Sequence, residues 1–188
     1  GTWGVDDRLI LGSLSRGLSQ VPAAGGVLQP LTTTRPDRGE IGHVSPFHLP
    51  GNDAVLFTTG YGSQFDPTID VYVFATGEGH RIGSGAGAGY LDTGHLVWGG
   101  ADGTLKAQPF DIQALVLRGE PVTVLEGVRV ASTTVGRFSI SRSGSLAYVA
   151  AGDTGVPGYP AIWVDRDGQQ TPFAAPDAAL GLFSPSFS

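Results

Sequence analysis

The chain has 188 residues, a formal net charge of −6 and only 15% charged residues. Lys106 is its one lysine and the arginines are scattered, which excludes the clustered positive surface that a nucleic-acid partner requires. The lack of cysteine excludes disulfides and thiolate metal sites. No apolar run approaches the roughly 18 residues of a membrane span, so we expect no membrane contact by this segment.

Glycine and proline are abundant, with 30 and 13 residues, while hydrophobic residues make up an ordinary 40% of the chain. Disorder requires few apolar residues and a high net charge, so this composition argues against it. It predicts many tight turns between many short strands. Helical periodicity is weak throughout, and the one short stretch that could turn as a helix, 111–115, is expected to be a loop or a single turn.

The predicted strands follow one another as a repeated unit. Each unit has a short strand, a turn rich in Pro, Asp, Gly or Ser, an apolar second strand, a variable loop, a third strand, a glycine turn and a fourth strand. The second strands begin at Leu9, Val55, Leu96 and Leu146, which are 46, 41 and 50 residues apart. The units are predicted at 1–34, 42–84, 88–128 and 136–175, with a partial strand at 181–188.

This spacing is close to the roughly 40–50 residues of four-stranded β-propeller repeats. A lone blade is apolar on both faces, and stacking blades around an axis covers both. We therefore predict an all-β fold, a β-propeller of about four four-stranded antiparallel blades plus the first strand of a fifth. Because the last unit breaks off after one strand, we expect a propeller fragment, and we expect that a homodimer could complete it.

Several motifs resemble the TolB-like, WD40-like (PD40) propeller repeats. Ser184-Pro185-Ser186-Phe187-Ser188 matches the start of their turn motif, and 138–144 is a degenerate copy. Segments 94–97 and 109–111 resemble the sensor propellers attached to bacterial serine/threonine protein kinases. The resemblance implies a non-catalytic binding or scaffold module of a larger bacterial protein such as a receptor kinase, outside the cytoplasm. The kinase motifs themselves are missing.

An alternative remains open within the same fold. Prolyl-oligopeptidase-type peptidases carry a similar propeller that gates a separate hydrolase domain. Such a hydrolase would supply a Gly-x-Ser-x-Gly motif, and this sequence has none. We therefore predict no catalytic residues and no enzyme activity for this segment.

Candidate metal and cofactor motifs are weak. His43 and His48 could share a metal, but we find no acidic residue at a matching spacing beside them and favour strand-edge histidines. The turn 165–168 resembles the start of a calcium loop, yet Pro176 stands where the loop needs its glutamate. The glycine-rich run 83–89 matches a dinucleotide fingerprint without the helix that should follow, so it predicts a flexible connection between blades. We predict no metal and no cofactor.

Aromatic residues divide into two predicted classes. Those in or beside strands are expected to fill the cores between blades: Trp3, Tyr72, Tyr90, Trp98, Tyr148 and Trp163. Three others fall in the long loops 59–68 and 151–160, where rigid scaffolds often carry recognition. We therefore predict Tyr61, Phe65 and Tyr159 as binding residues for a protein or small ligand.

Overall fold

The computed structural model describes residues 1–4, 7–51, 53–62, 66–132, 135–151, 161–164 and 168–172. They form antiparallel strands and one short 3₁₀ helix, Pro36–Arg38. Blade 1 contains β1 (Thr2–Trp3), β2 (Arg8–Leu11), β3 (Ser19–Pro22) and β4 (Gln29–Pro30), and blade 2 contains β5 (Glu40–His48), β6 (Ala54–Tyr61), β7 (Thr68–Val73) and β8 (Glu78–Ser84).

Two further blades follow. Blade 3 contains β9 (Ala86–Leu91), β10 (His95–Gly99), β11 (Leu105–Asp111), β12 (Val116–Leu117) and β13 (Val122–Leu125), the last two both pairing with β11. A small ribbon of β14 (Val130–Ser132) and β15 (Val135–Gly136) precedes blade 4, which contains β16 (Phe138–Ile140), β17 (Leu146–Val149), β18 (Ala161–Val164) and β19 (Gln170–Pro172). The turn predicted at 111–115 joins β11 to β12.

Strand alternation explains why each blade buries two faces. In β7, Ile69 and Val71 point to one side, while Thr68 and Asp70 point to the other. Ile69 and Val71 pack against blade 3, since they share a buried cluster with Leu96 and Trp98. Because side chains on both faces of a blade need to be buried, each blade requires a neighbouring blade on each side.

Three buried clusters join consecutive blades. One contains Ile10 with Val55 and Phe57 between blades 1 and 2, a second spans blades 2 and 3, and a third places Phe138 and Tyr148 against blade 3. The first strands of consecutive blades, β1, β5, β9 and β16, also touch one another in that order. Blades therefore stack in sequence around a line of first strands, and the predicted all-β propeller fold is confirmed.

The glycine-rich run 83–89 is not the flexible connection that the sequence predicted. β8 continues to Ser84 and β9 starts at Ala86, with Gly85 alone between them. A β-carbon on Gly85 would overlap the Trp98 ring, so the small residue permits close packing of β9 against β10. Glycine at this position serves close approach between strands and does not make the connection flexible.

The inter-blade role predicted for strand aromatics holds for most of those whose side chains are described. Tyr90, Trp98 and Tyr148 are buried in the clusters between blades, and Tyr72 packs at the edge of one. Trp3 is an exception, because its side chain is 60% exposed. The neighbouring Thr2 faces blade 2 and accepts a hydrogen bond from the His48 N–H, so Trp3 points to the opposite side of blade 1.

Some predictions fall outside the described residues. They are Phe65, Tyr159, the partial strand 181–188, the start of the turn 165–168 and the side chain of Trp163. Within the part of the chain that the structure describes, no helix has the length and apolar character needed to cross a membrane.

Candidate functional site

The face of blade 2 that is directed towards blade 1 is apolar at one end and polar at the other. Near one end, Val55 and Phe57 pack against blade 1. Near the other end the same face carries buried polar groups, among them Thr59, Thr68 and Asp70. Beside this polar half, a cleft of about 330 Å³ opens between blades 1 and 2. The lining of this blade 1–2 cleft consists of Leu31, Thr32, Thr33, Arg35, Glu40, His43, Phe57, Thr59, Asp70, Tyr72, Gly77 and Gly79.

An arginine–carboxylate pair forms one wall of the cleft. The Arg35 Nε donates to Glu40 Oε1 at 2.9 Å, and the Arg35 backbone N–H donates to Glu40 Oε2 at 2.8 Å. The Glu40 side chain is 1% exposed, whereas the Arg35 side chain is 53% exposed. The guanidinium therefore covers a buried carboxylate from the solvent side and neutralises it.

His43 links that carboxylate to the connection between the blades. Its Nε2 lies 3.6 Å from Glu40 Oε2, and its Nδ1 lies 2.7 Å from Thr32 Oγ1. The Thr32 hydroxyl also accepts the Leu18 N–H at 2.8 Å, which leaves its proton free for the ring. A neutral imidazole with its proton on Nε2, facing Glu40, satisfies all of these contacts.

The backbone of His43 is held as well. The Ser13 N–H donates to the His43 carbonyl at 2.7 Å, and the His43 N–H donates to the Arg16 carbonyl at 3.0 Å. Segment 12–18, the connection between β2 and β3, thus runs along β5 and pairs with it at Ser13 and His43. Backbone and side chain of His43 are both fixed before any ligand arrives.

Ionisation of the pair follows from burial and charge. Burial alone would raise the pKa of the Glu40 carboxyl, but the Arg35 hydrogen bonds and the Arg35 charge outweigh it, so the pKa lies below its ordinary value. Burial lowers the pKa of His43 below 6.5, against the opposing attraction of Glu40. At neutral pH the cleft therefore holds a charged Glu40 beside a neutral His43.

We expect the buried histidine to make the protein sensitive to mild acid. Because the folded pKa of His43 is lowered, the unfolded chain takes up a proton first as the pH falls below 6.5. The free energy of unfolding is therefore at its full value above that pH and decreases below it, by up to about 1.4 kcal/mol per pH unit for one proton. Urea unfolding between pH 7.5 and 5 measures this dependence.

The variant His43→Gln serves as the control for acid sensitivity, because glutamine keeps a hydrogen-bonding side chain that does not titrate in this range. Its free energy of unfolding should fall less steeply than that of the parent chain between pH 6.5 and 5. Equal slopes for the two proteins would contradict the burial of a neutral His43. Protonation of Glu40 reduces the free energy of unfolding only as the pH falls below 4.5, because the pKa of its carboxyl is lowered in the folded protein. It therefore does not affect the comparison between pH 6.5 and 5.

A second polar group lies at the same end of blade 2. The Thr68 hydroxyl donates to Asp70 Oδ2 at 2.7 Å and lies 3.4 Å from the Tyr61 hydroxyl. The Arg81 guanidinium donates to the Tyr61 hydroxyl and lies 5.7 Å from the centre of its ring. Asp70 belongs to both this group and the cleft lining, so the two are continuous.

The structure places Tyr61 elsewhere than the sequence suggested. It is the last residue of β6 and is buried, so its predicted position in an exposed loop is wrong. The strand runs further than its apolar stretch because Thr59, Gly60 and Tyr61 continue the pairing with β5. Phe65 and Tyr159 lie outside the described residues.

The histidines do not meet as a pair. His43 lies opposite Thr59 and His48 opposite Val55, so about 13 Å separates them along the sheet. The ring of His48 stacks on Phe74 instead, with centroids 5.8 Å apart. The expectation that no acidic residue lies at a matching spacing beside His43 is also wrong, because Glu40 lies three residues before it with its Oε2 3.6 Å from His43 Nε2. Among the described residues, no group of three or more His, Asp or Glu could hold a metal ion.

Sequence reasoning missed Arg35, Glu40 and Asp70. One signal was available: Asp70 sits inside the strand Thr-Ile-Asp-Val-Tyr-Val, at a position that a buried sheet face would normally fill with an apolar residue. Glu40 and Arg35 carried no comparable signal, because they precede the apolar part of β5 and resemble a loop.

The described fold has clear likenesses among solved structures, although no protein-family model and no curated protein matches the chain. Regucalcin from Agrobacterium tumefaciens, a calcium-binding protein, is 14% identical with a TM-score of 0.62, over 90% of this chain and 57% of that one. A luciferin-regenerating enzyme is 9% identical with a TM-score of 0.62, over 91% and 59%. TolB from Acinetobacter baumannii is 17% identical with a TM-score of 0.53, over 97% and 55%.

These likenesses concern the fold. The chain spans less than two thirds of the length of each of the three structures. They are propeller-type proteins, and they include both an enzyme and TolB. The chain is therefore similar to a TolB-like β-propeller in architecture.

Proposed function

We propose that the chain is a non-catalytic β-propeller module that binds a ligand or partner in the blade 1–2 cleft. One observation carries the proposal: a preformed polar cleft opens between two blades whose remaining contact is a packed apolar core. Ligand sites are typically concave, largely preformed and furnished with a few placed polar groups. The cleft has these features at the lower end of the usual size range.

The segments that form the cleft walls are held in place by hydrogen bonds and an ion pair, which supports binding. Leu18 and Thr32 are joined by hydrogen bonds from the Leu18 N–H to the Thr32 hydroxyl and from the Thr32 N–H to the Leu18 carbonyl. The pair Arg35–Glu40 closes the connection to β5. A ligand entering this cleft meets groups that are already oriented, so little conformational entropy is lost on binding.

The wider setting follows from the sequence motifs and the fold. We infer that the module belongs to a larger bacterial protein such as a receptor kinase, as its sensor or interaction region outside the cytoplasm. The likeness in fold to TolB supports the TolB-like character of the repeats. The motifs at 94–97 and 109–111, which resemble kinase-associated propellers, support the kinase setting.

The proposal is tested by looking for binding and turnover on the same protein. A library of peptides, amines, sugars and carboxylic acids is titrated into the ¹⁵N-labelled chain, and esters and peptides are incubated with it as potential substrates. We expect one class to shift resonances of residues 31–43, 57–59 and 70–72 saturably, with no product formed. If none of the classes shifts these resonances, or if product appears, the proposal is wrong.

A second candidate function is hydrolysis, favoured by one specific arrangement. The Thr32 hydroxyl, the His43 imidazole and the Glu40 carboxylate follow one another at 2.7 and 3.6 Å, in the order of a nucleophile, a base and an orienting group. A luciferin-regenerating enzyme shares the fold. Turnover of an ester that is abolished by both Thr32→Val and His43→Gln would establish this function in place of the first.

A further inference from the structure

The charges that line the blade 1–2 cleft do not cancel. Arg35 and Glu40 neutralise each other as an ion pair at 2.8 Å. His43 is neutral at pH 7 because burial lowers its pKa. One lining charge is left over, the carboxylate of Asp70. The cleft therefore carries a net charge of about −1 within a protein whose formal charge is −6.

The environment of Asp70 is unusual for a buried carboxylate. The residue is 6% exposed, and among the described residues its one hydrogen-bond donor is the Thr68 hydroxyl. Within that same part of the chain, no Arg, Lys or His nitrogen lies at ion-pair distance from it. A carboxylate can accept about four hydrogen bonds, and a buried charge without a partner is costly. The Arg81 guanidinium lies opposite Asp70 on β8 but donates to the Tyr61 hydroxyl, so it is connected to the carboxylate only through the Tyr61 and Thr68 hydroxyls. Asp70 therefore keeps acceptor capacity for a further cation.

Aromatic rings complete the surroundings. Phe57 lies directly opposite Asp70 across the strand pair, and Tyr72 lies two positions further along the same face of β7. Both line the cleft together with Thr59. Ring faces attract organic cations, whereas a hydrated metal ion gains little from them. The Phe57 ring already packs on the His43 ring, with centroids 4.7 Å apart, so Tyr72 is the ring that can face a ligand. A carboxylate beside an aromatic ring matches the chemistry of an ammonium or guanidinium group on an alkyl chain.

We propose that the cleft binds an organic cation, an alkylammonium or guanidinium group, which pairs with Asp70 and lies against Tyr72. The inference rests on the proposed function and names its ligand class. A volume of about 330 Å³ suits one such group with its alkyl chain. The cation is either a free amine or the side chain of Lys or Arg in a peptide.

The experiment uses calorimetric titration of the full chain with defined probes. These are n-butylammonium, n-butylguanidinium, the neutral analogue n-butanol, and the capped tripeptides Gly-Lys-Gly and Gly-Arg-Gly. We expect the cations to bind saturably and n-butanol not to bind. Tighter binding of the tripeptides identifies a peptide as the source, and tighter binding of the simple cations identifies a small amine.

The variant Asp70→Asn removes the charge and keeps the shape. We expect it to weaken cation binding about tenfold or more, since a charge-assisted hydrogen bond is lost. Glu120→Gln removes the same charge from an exposed site and should leave binding unchanged. Tyr72→Leu should weaken binding, and Tyr72→Phe should retain it.

Without ligand, Asp70→Asn should melt roughly 2–4 °C higher, because a buried charge that has no ion-pair partner has been removed.

Three results would overturn the inference: equal binding of n-butanol, equal cation affinity in Asp70→Asn, or a lower melting temperature for that variant. Failure here is distinguishable from failure of the proposed function. If sugars or carboxylic acids shift the cleft resonances and the cations do not, the cation inference is wrong and the binding module stands. If no probe of any class shifts them, both are wrong.

Discussion

The variant Gly17→Ala should lose at least about 3 kcal/mol of unfolding free energy, through steric overlap and the loss of buried hydrogen bonds. A β-carbon at this position would overlap the carbonyl oxygen of Thr32 and lie 2.9 Å from its hydroxyl. The obstacle is backbone, so no side chain can swing away. Thr32 must move, and its bond to His43 must lengthen. Urea unfolding measures the loss of stability.

Gly62→Ala is the matched control for the substitution at Gly17. A β-carbon at Gly62 meets nothing within 4 Å, and its φ does not lie in the left-handed region. We expect its stability to change by less than about 0.5 kcal/mol, because the unfolded chain loses entropy and the folded chain gains no clash. Similar losses for the two variants would show that residues 17 and 32 are not in close contact.

The second large effect is expected for Leu56→Ala. Leu56 is fully buried in the cluster between blades 2 and 3, where it shares the core with Ile69, Leu96 and Trp98. Removing its methyl groups leaves a cavity that rigid strands on both sides cannot fill, which costs about 2–5 kcal/mol. Circular dichroism during urea unfolding measures this loss. Tryptophan fluorescence, measured with Trp3 and Trp163 replaced by Phe so that it reports Trp98, shows whether the packing between the blades loosens at the same midpoint.

Val124→Ala provides the contrast for the core substitution. Val124 lies in β13, on the outer side of blade 3, and is 55% exposed. Its truncation should change the free energy of unfolding by no more than about 0.5 kcal/mol. If Leu56→Ala were as mild as Val124→Ala, the stacking of blades 2 and 3 described above would be wrong.

The strands and the blade order could be predicted from the sequence, because their signals are local. Alternation in Thr-Ile-Asp-Val-Tyr-Val and the glycine turn after it mark β7 and β8 without reference to the rest of the chain. Trp98 was expected in a core between blades and lies in one. Repetition of the same pattern then predicted the stacked architecture.

The cleft could not be predicted in this way, because it depends on contacts between distant segments. Thr32, His43 and Asp70 come from a connection and two strands, and no local pattern brings them together. β5 also contains an irregularity between Val44 and Phe47, which changes the alternation on which a prediction of inward and outward residues depends. Tyr61 was misplaced for a related reason, since pairing with β5 extends β6 beyond its apolar residues.

The pairing of segment 12–18 with β5 limits how a peptide could bind. In a sheet, an unpaired strand edge invites a foreign chain to add itself as a further strand. At His43 both backbone groups on that edge are already occupied, by the Ser13 N–H and the Arg16 carbonyl. A peptide partner therefore cannot bind at this point by sequence-independent pairing of its main chain. It must bind through a side chain that enters the cleft, so we expect the site to discriminate between peptides by the residue they insert.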